Sequence, residues 1–187
     1  MWNDKIYDVI HLDFSNLASR SPVDFKKGLC RRIIDQFSIY KDINFTYNVN
    51  DEHPADIFDK ICCRLDDNSV ILLIDEYDAP LTHHLNEPIE LKDITNILND
   101  FYATVKQYTG KFHFIFITGI TRASHVSIFS AFNNLLDISL DDQFNDLLGF
   151  TQDDLERYFA KYIEKAGNIL NIKSDDVYKK IKQYYNG

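Results

Sequence analysis

Three cysteines among 187 residues are too few, and an odd number, for a disulfide framework, and two of them, Cys62 and Cys63, are adjacent. Their spacing from Cys30 does not suit zinc either, so reduced core thiols in an intracellular protein are expected. Long hydrophobic runs are also missing. Nothing approaches the ~20 apolar residues of a membrane-spanning helix, and Met1-Trp2-Asn3-Asp4-Lys5 does not read as a signal peptide. A cytoplasmic protein with no membrane partner is expected. Positive charge is in deficit: 20 Lys and Arg stand against 29 Asp and Glu, a net charge of −9. That argues against a generic basic surface for nucleic acid but leaves room for a local basic groove. Internal repeats and low-complexity tracts are absent as well.

What is present points to a folded chain. Hydrophobic residues make up 45% and charged residues 26%, which suits one domain with a sizeable core and a small appendage. Tyr7–Phe14 is rich in β-formers and reads as a first strand. Ser21-Pro22 is a helix start, after which Phe25, Leu29, Ile33, Ile34 and Phe37 recur at helical spacing. Asp42–His53 is polar and reads as a surface loop, and Pro54 opens a second helix carrying Ile57, Phe58, Ile61 and Leu65. Ala79–Pro88 has no clear period and is expected to be a loop. Glu90–Tyr108 is helical again, Thr109-Gly110 stops it, and Lys111–Thr118 is a strongly apolar strand. Ser127–Leu136 predicts a short helix and Asp137–Leu140 a short strand. Thr151 with Asp154 is a capping-box pattern for a helix bearing Leu155, Phe159, Tyr162 and Ile163. Ser174 is expected to cap a last helix with Val177, Ile181 and Tyr184. Strands alternating with helices predict an α/β fold with a parallel sheet.

The stretch most suggestive of chemistry is Ser69–Thr82. Val70–Ile74 is an unbroken apolar run between turn-forming residues, the pattern of a strand buried on both faces. Asp75 and Glu76 close it at the carboxyl end, the edge where ligands bind in open α/β sheets. Two adjacent carboxylates there call for a compensating cation. The pair resembles a Walker B strand end, with Asp75 holding Mg²⁺ and Glu76 orienting an attacking water. A solvated acidic turn, with Asp78 capping the next segment, fits these residues equally well.

Further stretches extend the likeness. Val70–Leu81, Ile117-Thr118-Gly119-Ile120-Thr121-Arg122, Ser127–Leu135, Leu148-Gly149-Phe150-Thr151 and Tyr184-Tyr185-Asn186-Gly187 together resemble the AAA-ATPase-like family. Its members are predicted P-loop NTPases often fused to a nuclease-like domain of the PD-(D/E)XK type. The resemblance covers nearly the whole chain and implies a P-loop-NTPase-like parallel sheet flanked by helices. It implies an ATPase core over residues 1–150 and a small helical appendage over 151–187. Asp75 and Glu76 match the Walker B pair. Thr118 falls where related ATPases place a polar sensor of the γ-phosphate, and Arg122 where a phosphate contact or arginine finger would sit. Plainer roles stand beside these: a strand-end hydroxyl for Thr118, a salt bridge for Arg122. Mg²⁺ and ATP are the cofactors the resemblance implies, and a nuclease-like domain or nucleic acid the partners.

The sequence departs from the family in one respect. No Gly-x-x-x-x-Gly-Lys-Ser/Thr loop is present: Gly28 precedes Leu29-Cys30-Arg31, and Gly110-Lys111 lacks the rest. Such a loop supplies most of the phosphate grip, so this chain alone is expected to be inactive. It reads either as a piece lacking the P-loop strand or as a degenerate relative serving as a non-catalytic interaction or regulatory module. In this group the P-loop strand lies beside the sensor strand. The Lys111–Thr118 strand would then have lost a neighbour, with its Phe112, Phe114 and Phe116 side poorly covered. Self-association, or pairing with Asp137–Leu140, is the expected remedy. A metal-dependent phosphodiesterase built on Asp75, Glu76 and Asp78 is a weaker third reading. His83 and His84 lack a spaced ligand partner and are expected in a solvated loop. His11 and His113 are expected in the core or on a sheet face.

Overall fold

The computed structural model describes residues 6–17, 21–38, 52–120, 135–139, 141–144, 147 and 149–185. The chain divides into two compact units, residues 1–134 and 135–187. In the first, strands β1 (Asp8–Asp13), β2 (Val70–Asp75) and β3 (Phe112–Ile117) form a parallel sheet in the order β1-β2-β3. Helices α1 (Pro22–Phe37) and α2 (Pro54–Cys62) lie between β1 and β2 in the chain. Helices α3 (Ala79–His83) and α4 (Pro88–Gln107) lie between β2 and β3. The expected α/β fold with a parallel sheet is therefore present, and β2 is its central strand.

The apolar patterning explains the layering. Ile10 and Leu12 of β1 and Val70, Leu72 and Ile74 of β2 are buried on one face of the sheet. Phe25, Leu29, Ile33 and Phe37 of α1 recur at helical spacing and are all fully buried. Ile57, Phe58 and Ile61 of α2 and Ile94, Leu98, Phe101 and Val105 of α4 complete the core. Aromatic rings knit it together: Phe58 lies 5.1 Å from Phe101 and 5.8 Å from Phe37, and Phe14 lies 6.2 Å from Phe101. Ser21 caps α1 by accepting from Asp24 N, with Pro22 in the first turn.

Several local expectations are corrected. Ala79–His83 is a helix, not a loop; five residues are too few to show a period, and Pro80 opens the turn as prolines do at helix starts. The face expected to hold three phenylalanines holds two. A bulge between Val70 and Ile71 pairs Phe112 with Val70 but Phe114 with Ile71. Phe112 thus turns to the helices, buried against Phe58, while Phe114 stays 49% exposed on the other face. Cys30 and Cys62 are buried core thiols as expected, but Cys63 is exposed. Burial pushes the Cys30 thiol up to about 11 and that of Cys62 higher still. His11 and His113 lie on exposed sheet positions, His113 stacked 4.0 Å from Tyr7. Asp42–Asp51 and the core of the expected Ser127–Leu136 helix lie outside the described residues.

The second unit carries α5 (Gln152–Tyr158), α6 (Ala160–Leu170) and α7 (Ser174–Tyr185). The capping box is formed as the sequence predicts, Thr151 accepting from Asp154 N while Asp154 accepts from Thr151 N. One expected helix is two, broken at Phe159. Ser174 lies inside α7 instead of capping it, since Lys173 O takes the first helical bond, from Val177 N. No strand forms at 137–139. Asp137 accepts from Ser139 N and Asp141 from Gln143 N, local turns that compete with strand pairing. Among the described residues no helix is long and apolar enough to cross a membrane.

Candidate functional site

The carboxyl ends of the three strands bring the acidic residues together. Asp13 of β1 lies opposite Asp75 of β2 in register, and Phe14 N donates to Asp75 O at 3.0 Å. The residue after β3, Thr118, donates its N–H to Ile74 O at 2.9 Å and its hydroxyl to Asp75 Oδ1. Glu76 N also donates to Asp75 Oδ1, at 3.1 Å. Two donors therefore orient one oxygen of an exposed carboxylate. Among the described residues neither Asp75 nor Glu76 forms an ion pair. The carboxyl of Asp13 is held below its ordinary value, chiefly by the Ser15 hydroxyl. A third acid thus borders this edge.

Glu76 turns the chain away from the sheet with φ 51°, in the left-handed region that costs a non-glycine residue about 1 kcal/mol or more. The next residues fasten that turn to the end of β3. Tyr77 N donates to Thr118 O at 3.0 Å, and Ile120 N donates to both carboxylate oxygens of Asp78 at 3.2 and 3.1 Å. Asp78 is 1% exposed. Between the anchors, a Cβ on Gly119 would lie 2.3 Å from Tyr77 Cε1 and 2.7 Å from Asp78 Oδ1. Only glycine fits this crossing. Beside it a cavity of about 310 Å³ is lined by Glu76, Asp78, Ala79, Thr82, His83 and Ile120.

Residues 1–129 match a family model described as Predicted AAA-ATPase. The chain belongs to this AAA-ATPase-like family. A relative described as "Uncharacterized protein in vnfD 5'region", from Azotobacter chroococcum mcd 1, is 36% identical over 91 residues. That match covers 49% of this chain and 18% of the relative's length. No solved structure matches the chain.

In this AAA-ATPase-like chain, three of the four residues singled out in the sequence, Asp75, Glu76 and Thr118, meet at one edge. Arg122 lies outside the described residues. The sequence offered Asp78 only as a cap of the next segment or as part of a phosphodiesterase site, gave Tyr77 no task, and did not point to Asp13 or Gly119. A register between strands distant in the sequence was needed to place Asp13 beside Asp75. The sequence signal for the others was their place in Asp75–Asp78 and Thr118–Ile120, two short segments at the carboxyl ends of apolar strands. His84, expected in a solvated loop, is 2% exposed.

Proposed function

We propose that this chain provides the Walker B and sensor portion of an AAA-like ATPase, acting on Mg²⁺-ATP when a P-loop completes it. The observation that carries the reading is Asp75, at the carboxyl edge of a parallel sheet, oriented by the Thr118 hydroxyl and Glu76 N and lacking a cationic partner among the described residues. The donor set fits a hard divalent cation, because carboxylate oxygens facing solvent are its preferred ligands. Asp75 would hold Mg²⁺, which when bound neutralises charge on phosphate oxygens. Glu76 would hold a water at its carboxylate and take its proton. Thr118, tied to Asp75, would be the polar group sensing the γ-phosphate, and Arg122 would contact phosphate in the same or a neighbouring chain. The turnover would drive a partner domain, nuclease-like or acting on nucleic acid, and the open side of β3 would serve self-association.

The absent Gly-x-x-x-x-Gly-Lys-Ser/Thr loop favours a second reading, a non-catalytic interaction or regulatory module on the same fold. Asp78 weighs against a phosphodiesterase, since its carboxylate is buried and engaged by Ile120 N. Calorimetry separates the readings. This chain alone is expected to take up no ATP, with or without Mg²⁺. Joined to the P-loop strand and helix of a family member, it is expected to bind and hydrolyse ATP. Glu76→Gln in that form should keep binding and lose roughly 10²–10⁴-fold in turnover. Unchanged turnover would remove Glu76 from the assignment, and binding without hydrolysis in the parent form would favour the non-catalytic module.

A further inference from the structure

His84 follows α3 and buries its ring at the junction of α3 and α4. Its side chain is 3% exposed, and its Nδ1 lies 2.8 Å from Pro80 O. A carbonyl oxygen only accepts, so Nδ1 carries a proton and in the neutral ring Nε2 keeps its lone pair. That nitrogen faces Glu90 Oε2 at 3.4 Å and Glu87 Oε2 at 3.8 Å, both beyond the usual hydrogen-bond length. Neither glutamate pairs with a lysine or arginine among the described residues. Three electron-rich atoms therefore converge with nothing positive among them, unless a proton or a metal ion supplies the charge.

The geometry favours the ion. All three ligand atoms lie within 4.8 Å of one another. Ligands on a tetrahedral ion with bonds of about 2.0–2.2 Å sit roughly 3.3–3.6 Å apart. The Glu87 and Glu90 carboxylates, 56% and 44% exposed, are able to close that difference by rotation. The Pro80 carbonyl fixes the imidazole as the outer partners of metal-bound histidines do, through the opposite ring nitrogen. We propose that His84 Nε2, Glu87 and Glu90 form a site for a divalent transition ion of the Zn²⁺ class, with a fourth position open to water. One imidazole and two carboxylates suit such an ion better than Mg²⁺, which prefers an octahedral oxygen shell. The ion would clip the turn between α3 and α4, where Glu87 N already donates to His84 O at 2.9 Å. The site stands independently of the ATPase reading.

The test is titration with Zn²⁺, and separately Mg²⁺, in a Cys63→Ser background that removes the exposed thiol. One equivalent of Zn²⁺ should bind, and saturation should raise the melting temperature by about 5 °C or more. Mg²⁺ at equal concentration should give no response that depends on Glu87 and Glu90. Glu87→Gln combined with Glu90→Gln changes two partly exposed side chains and should keep the circular dichroism spectrum while weakening Zn²⁺ binding at least about 100-fold. No Zn²⁺ binding by the parent would overturn the proposal. Binding that the double variant leaves unchanged would place the ion elsewhere and overturn it equally.

Discussion

Glu76 sits on a left-handed turn because the residues after it are pulled back across the end of β3. Tyr77 and Asp78 act as a latch: one holds Thr118 O through its backbone, the other holds Ile120 N through a buried carboxylate. Gly119 is the residue over which the latch closes. Tyr77 is 5% exposed, so its ring has nowhere to swing when a methyl is added. Gly119→Ala should therefore cost about 1–3 kcal/mol, as overpacking of a filled site does. Gly110→Ala is the control, because a Cβ there meets nothing within 4 Å. Urea midpoints with an unchanged slope would measure both. A cost at Gly119 no larger than at Gly110 would show that the crossing is loose and that Thr118 is not held by it.

At the scale of elements, legibility followed length and local chemistry. The central strand was readable because Val70–Ile74 is apolar without interruption, and α1 and α4 because several turns repeat the same face. Helix α3 was not, being shorter than two periods, and neither was the bulge that sends Phe112 to the core, since bulges answer to the partner strand. The Asp154 capping box was readable because both partners lie within one turn, and it makes a sign-definite prediction. The Thr151 hydroxyl and then the Thr151 N–H lower the Asp154 carboxyl from its ordinary 3.8. A folded-state value below the unfolded one means a contribution that is full above about pH 4 and lost as pH falls through the folded value. In Thr151→Ala the Asp154 midpoint, followed by carboxyl NMR, should rise toward 3.8, and the acid-side loss of helicity should begin at higher pH. An unmoved midpoint would mean that the box does not persist in solution.

Across the whole chain, the candidate site was legible in its chemistry but not in its assembly. Asp75 and Glu76 stood out as acids ending an apolar strand, and Thr118 through the family resemblance; that Thr118 donates to Asp75 follows from β3 lying parallel beside β2, which no local spacing encodes. The two units, residues 1–134 and 135–187, also differ in where burial is concentrated. The first unit contains the aromatic and aliphatic core described above. Among the described residues of the second, only Ile163 and Val177 are buried apolar side chains, while Phe150, Tyr162 and Tyr184 are 70%, 70% and 77% exposed. Small units with so little buried area do not offset the entropy of ordering their chain. Residues 1–134 expressed alone should thus unfold cooperatively, with a urea midpoint close to that of the full chain. Residues 135–187 alone should show weak helical circular dichroism and no cooperative transition, since helices of this length are marginal without tertiary support. A cooperative transition in the isolated second unit would mean that it has a sufficient core of its own. Loss of cooperativity in residues 1–134 would mean that the sheet and its latch depend on the helices that follow.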